Sequence, residues 1–236
     1  MNFGQKVIRF NKQLEFNGEL PPGINIMNPF KENDTVNTIA EQFYTKYYSD
    51  GNKRHLILGI NPGRFGGGVT GIPFTDSKRL KAVCDIRYDG KETHEPSSVF
   101  VYEVIAAFGG PEQFYRNFYI NSICPLGFTT SLPNGKEINY NYYDSKALAA
   151  AVYDFIVENI RKQIDLGVYT STCLCFGTGK NEKFLRLLND EYGFFDNIIA
   201  LEHPRFIMQY KSRSKQQYID KYLDAFNSVM QARNGE

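Results

Sequence analysis

Three polar side chains stand at or near the carboxyl ends of three different apolar runs. Asn61 follows the first run, Asn121 lies near the end of the second, and His203 follows the last. Parallel strands bring their carboxyl ends to one edge of a sheet, where open α/β sheets bind ligands. An amide offers a donor and an acceptor, and an imidazole can donate to developing negative charge. Each residue alone could equally serve its own loop, but three together predict a site.

The segment between Asn61 and Phe74 is a glycine-rich loop. It reads Asn-Pro-Gly-Arg-Phe-Gly-Gly-Gly-Val-Thr-Gly-Ile-Pro-Phe and holds five glycines and two prolines. Prolines stiffen the backbone, and glycines permit positive φ and close approach of the backbone to a ligand. A surface turn is the simpler interpretation, but this pattern after a buried strand favours a binding loop. Phe74 could then stack on a flat ligand or pack in the core.

A basic, aromatic segment follows His203, and it is predicted to be a loop that leads to the helix at 214–232. It reads Pro-Arg-Phe-Ile-Met-Gln-Tyr-Lys-Ser-Arg-Ser-Lys, and the first acid after it is Asp220. Such a segment suits contact with phosphates and partial insertion between bases. A solvated basic face is the alternative, and the position directly after His203 favours DNA.

Composition sets the class of protein. The chain has 236 residues, of which 42% are hydrophobic and 22% charged, with a net charge of +1. These values are typical of an ordinary globular protein, so any affinity for nucleic acid must come from a local patch. No stretch is predicted to span a membrane and the first residues lack a signal core, so we expect a cytoplasmic protein. We expect a monomer as well.

The cysteines do not predict a metal site. They are Cys84, Cys124, Cys173 and Cys175, and no Cys-x-x-Cys spacing or nearby histidine cluster occurs. Buried thiols are therefore expected in place of a zinc or iron–sulfur centre. The sequence predicts no metal and no cofactor.

Strands alternate with helices along the chain. Predicted strands cover 53–60, 117–124, 172–176 and 196–201, and predicted helices cover 34–48, 76–86, 98–108, 145–164, 181–189 and 214–232. Residues 128–144 are predicted to be a polar, aromatic loop. This alternation indicates an α/β fold, a three-layer α/β/α sandwich around a central four-stranded parallel sheet. We expect one domain over 1–236, with 1–50 as a helical N-terminal extension packed on it.

The motifs resemble those of the uracil-DNA glycosylase superfamily, nearest to its single-strand-selective monofunctional branch. That branch carries Gly-Met-Asn-Pro-Gly-Pro-Phe-Gly and then Thr-Gly-Val-Pro-Phe. This chain has Gly-Ile-Asn-Pro-Gly-Arg-Phe-Gly from Gly59 and Thr-Gly-Ile-Pro-Phe from Thr70, with the same spacing. The family's Asn-Leu-Cys-Pro-Leu appears as Asn-Ser-Ile-Cys-Pro-Leu from Asn121, one residue longer when Cys-Pro is aligned. The family's His-Pro matches His203 and Pro204.

The resemblance implies a DNA repair enzyme of the uracil-DNA glycosylase fold. Such an enzyme flips the nucleotide out of the stack and hydrolyses the N-glycosidic bond without metal or cofactor. By resemblance, Asn61 positions the attacking water, His203 stabilises the leaving base, Phe74 stacks on it and Asn121 reads its polar edge. Ile60, Gly63 and Phe65 would also contact the substrate. The residues implied to contact DNA are Pro204, Arg205, Phe206, Met208, Lys211 and Arg213.

Two departures from the family pattern bear on the substrate. Gly63 stands where the uracil-specific branch has a tyrosine against the base's 5-position, which implies room for 5-modified uracils such as 5-hydroxymethyluracil. Arg205 and Phe206 replace the Ser-Pro that usually follows His-Pro, so the residue entering the duplex is Arg205, Phe206 or Met208. A catalytically inactive nucleic-acid-binding module and a hydrolase of free nucleosides are the alternative functions.

Overall fold

The computed structural model describes residues 1–233. Its strands are β1 (Ile24–Met27), β2 (Arg54–Gly59), β3 (Phe118–Ser122), β4 (Gly127–Ser131), β5 (Glu137–Tyr140), β6 (Val168–Phe176) and β7 (Asn197–Leu201). Its helices are α1 (Phe3–Lys12), α2 (Pro29–Glu32), α3 (Asp34–Tyr47), α4 (Gly67–Thr70), α5 (Ser77–Ala82), α6 (Pro96–Ala107), α7 (Pro111–Asn117), α8 (Lys146–Ala151), α9 (Tyr153–Asp165), α10 (Lys180–Tyr192), α11 (Pro204–Tyr210) and α12 (Lys215–Arg233).

A parallel sheet forms the centre of the fold, with strand order β3-β2-β6-β7. Every residue of β2 is buried, which explains why its sequence is a nearly continuous apolar run. In the register between β2 and β3, Leu58 faces Asn121 and Gly59 faces Ser122. The predicted four-stranded parallel sheet is confirmed, and the carboxyl ends of its strands share one edge.

Helices cover both faces of this sheet. On one face Tyr119 of β3 packs edge-on against Phe3 of α1, with ring centroids 5.3 Å apart. On the other face the ring of Phe118 packs against that of Phe226 of α12, with ring centroids 4.7 Å apart. Because neighbouring residues of a strand point to opposite faces, these two contacts define an α1/α3 face and an α6/α12 face. The predicted three-layer architecture is confirmed, and α1 and α3 form part of its core.

A second, antiparallel sheet joins β1, β4 and β5. Its strands pair Ile24 with Thr130 and Phe128 with Tyr140. The prediction of a loop over 128–144 is therefore wrong at 128–131 and 137–140, and β1 interrupts the predicted helical region 1–50. These strands have only four or five residues, and β1 pairs with a strand about a hundred residues away, so the local pattern gave little signal.

Two helical predictions also need correction. The predicted helix 145–164 is divided into α8 and α9, which meet at Val152. The basic segment after His203 is not a loop, because residues 204–210 form α11, followed by a short 3-10 turn at 212–214. Pro204 occupies the first turn of α11, where a proline's missing N–H costs nothing.

Within residues 1–233, no helix combines the length and apolar character that a membrane crossing requires.

Candidate active site

Gly59, at the carboxyl end of β2, has no side chain, and the ring of Phe74 lies in the space beside it. A Cβ atom on Gly59 would lie 2.9 Å from the ring of Phe74, closer than real contacts allow. Glycine at position 59 therefore lets the ring lie over the end of the strand. Phe74 itself has a φ of 54°, a left-handed conformation that is costly for a bulky residue and that clusters at functional sites.

The turn that precedes Phe74 holds it in this conformation. The hydroxyl of Thr70 donates to the carbonyl of Thr75 at 2.6 Å, and Gly71 adopts a φ of 70°. The Phe74 ring packs edge-on against Phe176, with centroids 5.7 Å apart, and lies 5.6 Å from the ring of His203. The loop after β2 and the end of β7 thus converge, as the sequence predicts.

His203 is held in one orientation and one protonation state. It precedes α11, and its Nδ1 accepts a hydrogen bond from the backbone N–H of Arg205 at 3.1 Å. In the neutral ring the proton must then sit on Nε2, which becomes a donor. Burial, and secondly the positive charge of Arg205, lower the pKa of His203 to about 4. The imidazole is therefore a neutral hydrogen-bond donor at physiological pH.

The amide of Asn61 is fixed by the segment after β5. Its Nδ2 donates to the carbonyl of Tyr140 and its Oδ1 accepts from the backbone N–H of Tyr142, both at 3.2 Å. Each contact uses one of two available positions, so one N–H and one lone pair remain. This is an oriented polar group of the kind that could hold a water molecule.

Asn121 lies on the other side of the sheet from Phe74. Its Nδ2 donates to the hydroxyl of Tyr119, and its Oδ1 accepts from the backbone N–H of Ser122, both at 2.8 Å. Tyr119 belongs to the α1/α3 face, and the alternation along β3 puts Asn121 on that face too. The structure does not bring the Asn121 side chain to Phe74 and His203, which argues against it as the reader of a base.

Ser122 points to the opposite face of the sheet from Asn121. It is the last residue of β3 and pairs with Gly59, so its side chain shares the face on which Phe74 lies. Among the described residues no hydrogen bond involves its hydroxyl, whereas its carbonyl accepts from Gln163. The alignment on Cys-Pro carried this signal, since it places Ser122 two residues before Cys124, as the family's asparagine is.

A cavity of about 600 Å³ adjoins these residues. It lies between the glycine-rich loop and α11 and is lined by Arg64, Phe65, Glu95, Pro96, Ser97, Ile138, Asn139, Arg205, Met208 and Gln209. No motif in the sequence points to Glu95. Burial, and secondly the carboxylate of Asp76, raise its pKa to about 7, while Arg205 opposes the shift. Strand β5 completes the wall, because Asn139 accepts from the backbone N–H of Arg64 at 3.1 Å.

The residues predicted to contact DNA lie along α11 and the turn after it. Pro204 is buried, whereas Arg205, Phe206, Lys211 and Arg213 are exposed and Met208 is half-buried. Lys215, by contrast, pairs with Glu103 at 2.6 Å.

The predicted substrate residues Ile60, Gly63 and Phe65 differ from one another in exposure and in contacts. Gly63 is half-buried, and a Cβ atom there would meet Glu95 at 2.8 Å. Phe65 is 47% exposed and carries the guanidinium of Arg64 4.5 Å from its ring centre. The backbone carbonyl of Ile60 accepts from Cys124 at 3.1 Å, which ties this loop to the end of β3. Residues 1–233 contain no cluster of three or more potential metal ligands.

Comparisons with known proteins identify the family and the fold. The family described as the Uracil DNA glycosylase superfamily matches residues 45–227. The crystal structure of wild-type SMUG2 from Pedobacter heparinus is similar to this chain, with a TM-score of 0.96 and 65% sequence identity. The similarity covers 98% of this chain and 99% of that chain. A comparison with curated proteins gives no match.

Proposed function

The chain belongs to the uracil-DNA glycosylase superfamily, and from this premise we propose that it excises uracil or a 5-modified uracil from DNA. The observation that carries the proposal is the pairing of His203 with Phe74. A neutral imidazole with its proton on Nε2 lies beside an aromatic ring, on the face where Gly59 has no side chain. A flat base on that ring would have a hydrogen-bond donor at its edge.

The reaction is hydrolysis of the bond between the sugar C1′ and the base nitrogen. The base is flipped out of the stack, the C1′–N bond breaks, and its electron pair moves onto the base. His203 donates a hydrogen bond from Nε2 to the carbonyl oxygen where negative charge grows, and it does so without being a cation. Because its pKa is lowered to about 4, this donor stays in the same form across the physiological range.

Water completes the reaction at the sugar. An amide is a poor base, so Asn61 orients the water through its remaining N–H and lone pair without removing a proton. The C1′–N bond breaks early and leaves a cationic sugar that neutral water can attack. The new C1′–O bond forms on that cation, and the water's proton passes to solvent.

We assign base recognition to Phe74 and Ser122. Phe74 stacks on the base, and the Ser122 hydroxyl can donate to or accept from its polar edge. Ile60, Gly63 and Phe65 line the approach, and the space beside Gly63, where a side chain would project, is taken by the carboxylate of Glu95. DNA is held by Arg205, Lys211 and Arg213 at phosphates, with Phe206 or Met208 inserted where the base has left. The whole chain acts as one domain and as a monomer.

The test is excision of a single uracil from a labelled oligonucleotide, followed by alkaline cleavage at the abasic site. We expect strand breaks with the wild-type protein in single- or double-stranded DNA. Asn61→Ala and His203→Ala should each lower the single-turnover rate by roughly 10²–10³-fold, the usual loss for one oriented catalytic group. His94→Ala, on the exposed loop before α6, is the matched control and should keep the wild-type rate.

Binding without excision of uracil or 5-hydroxymethyluracil would overturn the proposal in favour of an inactive nucleic-acid-binding module. Excision from free deoxyuridine that DNA does not inhibit would overturn it in favour of a nucleoside hydrolase.

A further inference from the structure

Glu95 is an ionisable group that the proposed reaction does not use. Its carboxylate lies against the glycine-rich loop, where Cβ atoms on Gly63 and Gly66 would come within 2.8 Å and 2.0 Å of its oxygens. Its backbone N–H donates to Asp76 at 2.7 Å, but among the described residues the carboxylate itself has no hydrogen bond and no ion pair. The loop is thus shaped to admit a carboxylate that has no protein partner.

The surroundings of Glu95 have the chemistry of a nucleotide site. The cavity holds about 600 Å³, within the roughly 300–1,000 Å³ typical of small-molecule sites. Phe65 and Met208 offer apolar surface for a flat ring, and the guanidinium groups of Arg64 and Arg205 can contact a phosphate. A carboxylate in such a place would repel a phosphate, so it must face a group that donates hydrogen bonds.

Among the bases of DNA, guanine matches an ionised carboxylate best. Its Watson–Crick edge carries a ring N–H beside an amino group, two parallel donors for two oxygens. Adenine and cytosine present a donor beside an acceptor, and thymine a donor between two acceptors. We propose that the cavity between the glycine-rich loop and α11 binds a guanine next to the excised nucleotide, with Glu95 as its acceptor.

This inference rests on the proposed glycosylase activity and deepens it. It makes excision dependent on a second base, which does not react, and it places that base in a cavity separate from the proposed stacking position at Phe74. The guanine can come from the same strand, adjacent to the uracil, or from the facing strand, where it is the partner left behind when a deaminated cytosine is flipped out. Both sources present the same donor edge.

The experiment measures kcat/KM for uracil excision in matched oligonucleotides. One set is single-stranded, with guanine, adenine, cytosine or thymine on either side of the uracil; the other is duplex, with guanine or adenine opposite it. We expect guanine at one of these positions to raise kcat/KM about tenfold over adenine, the discrimination usual for a bidentate pair. Rates that do not depend on any neighbouring or opposite base would overturn the inference and leave the glycosylase proposal intact.

Variants of Glu95 separate recognition from structure. Glu95→Gln replaces one acceptor by a donor, so guanine should lose its advantage and adenine, which offers a donor and an acceptor, should become at least its equal. Glu95→Ala should remove the preference without reversing it. Glu92→Gln, on the same loop and exposed, is the matched control and should behave as wild type. A guanine preference that survives in both Glu95 variants would contradict the assignment.

The preference should also depend on pH. Only the ionised carboxylate accepts two hydrogen bonds, and the pKa of Glu95 is raised to about 7, with Asp76 favouring the neutral form and Arg205 the charged form. The guanine advantage should therefore grow as the pH rises from 6 to 8 in the wild type and stay flat in Glu95→Gln. Should no uracil be excised at all, the dissociation constants of the same oligonucleotides still decide the point, because guanine must bind more tightly than adenine.

Discussion

The two ends of strand β2 are built in opposite ways. At its amino end Arg54 is fully buried, donating to both oxygens of Asp50, to the carbonyl of Asn52 and to that of Tyr115 at 3.3 Å. Its guanidinium lies 5.0 Å from the ring centre of Phe3. At its carboxyl end, as far as residues 1–233 show, Asn61 retains an unused donor and acceptor and the Ser122 hydroxyl makes no hydrogen bond. One end satisfies its polar groups inside the protein, and the other leaves them for a ligand.

This contrast separates residues that stabilise the fold from those that act on a substrate. A buried charge without partners is very costly, so the stability of the folded state depends on the hydrogen bonds that Arg54 makes at the amino end. Open hydrogen-bonding positions on a partly exposed side chain contribute little to the stability of the folded state and are available to water or a ligand. Changes at the amino end should therefore affect stability, and changes at the carboxyl end should affect activity.

The largest effect is expected at the amino end. Arg54→Ala should lower the free energy of unfolding by about 2–5 kcal/mol, because it opens a cavity and leaves buried carbonyls unpaired. Arg54 lowers the pKa of Asp50, so part of the wild-type stability is lost as the pH falls below the usual carboxyl value of 3.8. That acid-sensitive part should be missing from the variant. Urea titrations at pH 7 and pH 3.5 measure both.

Arg87→Ala is the control for this prediction. Arg87 is exposed and, within the described part of the chain, pairs only with Asp89, so the midpoint of urea unfolding should not move. The comparison between the two ends of β2 would fail if Arg54→Ala unfolded at the wild-type urea concentration, or if its folded fraction lost excision activity.

A smaller effect is expected where the strand meets the loop. Gly59→Ala should displace the Phe74 ring, because its Cβ would lie 2.9 Å from that ring, and such overpacking costs about 1–3 kcal/mol. We expect excision to fall by more than tenfold while the protein remains folded at 25 °C. Gly51→Ala, where no atom lies within 4 Å of the new Cβ, should change neither property. Equal activity of the two variants would mean that the position of Phe74 does not matter.

The smallest effect tests which residue of β3 faces the substrate. Ser122→Ala removes one hydrogen bond to the base and should lower kcat/KM about two- to tenfold, in line with a net worth of about 0.5–1.5 kcal/mol. Asn121→Ala should instead lower stability, because it leaves the buried hydroxyl of Tyr119 without its 2.8 Å partner. The reverse pattern, with activity lost at Asn121 and kept at Ser122, would restore Asn121 as the base reader.

The sequence predicted the central sheet because each of its strands is a local apolar run. It missed β1, β4 and β5, which have only four or five residues each, and β1 pairs with a strand about a hundred residues away. It placed α11 in a loop because Pro204 and the basic residues after it hid the helical pattern. Physical context that only the fold supplies, namely burial and neighbours, decided these cases.

The candidate site was predicted with similar limits. Asn61, Phe74 and His203 stood out through their residue types and positions after strands. The choice between Asn121 and Ser122 depended on a shift of one residue, which turns a strand's side chain to the opposite face. Glu95 gave no signal, because its unusual environment arises only when its loop packs against Gly63 and Gly66.

A crystal structure of the protein soaked with free uracil tests the account most directly. It should show the base stacked on the ring of Phe74, with one carbonyl oxygen within hydrogen-bond distance of His203 Nε2 and a polar edge facing the Ser122 hydroxyl. Uracil bound on the α1/α3 face beside Asn121, or bound with His203 Nε2 turned away from it, would contradict the account.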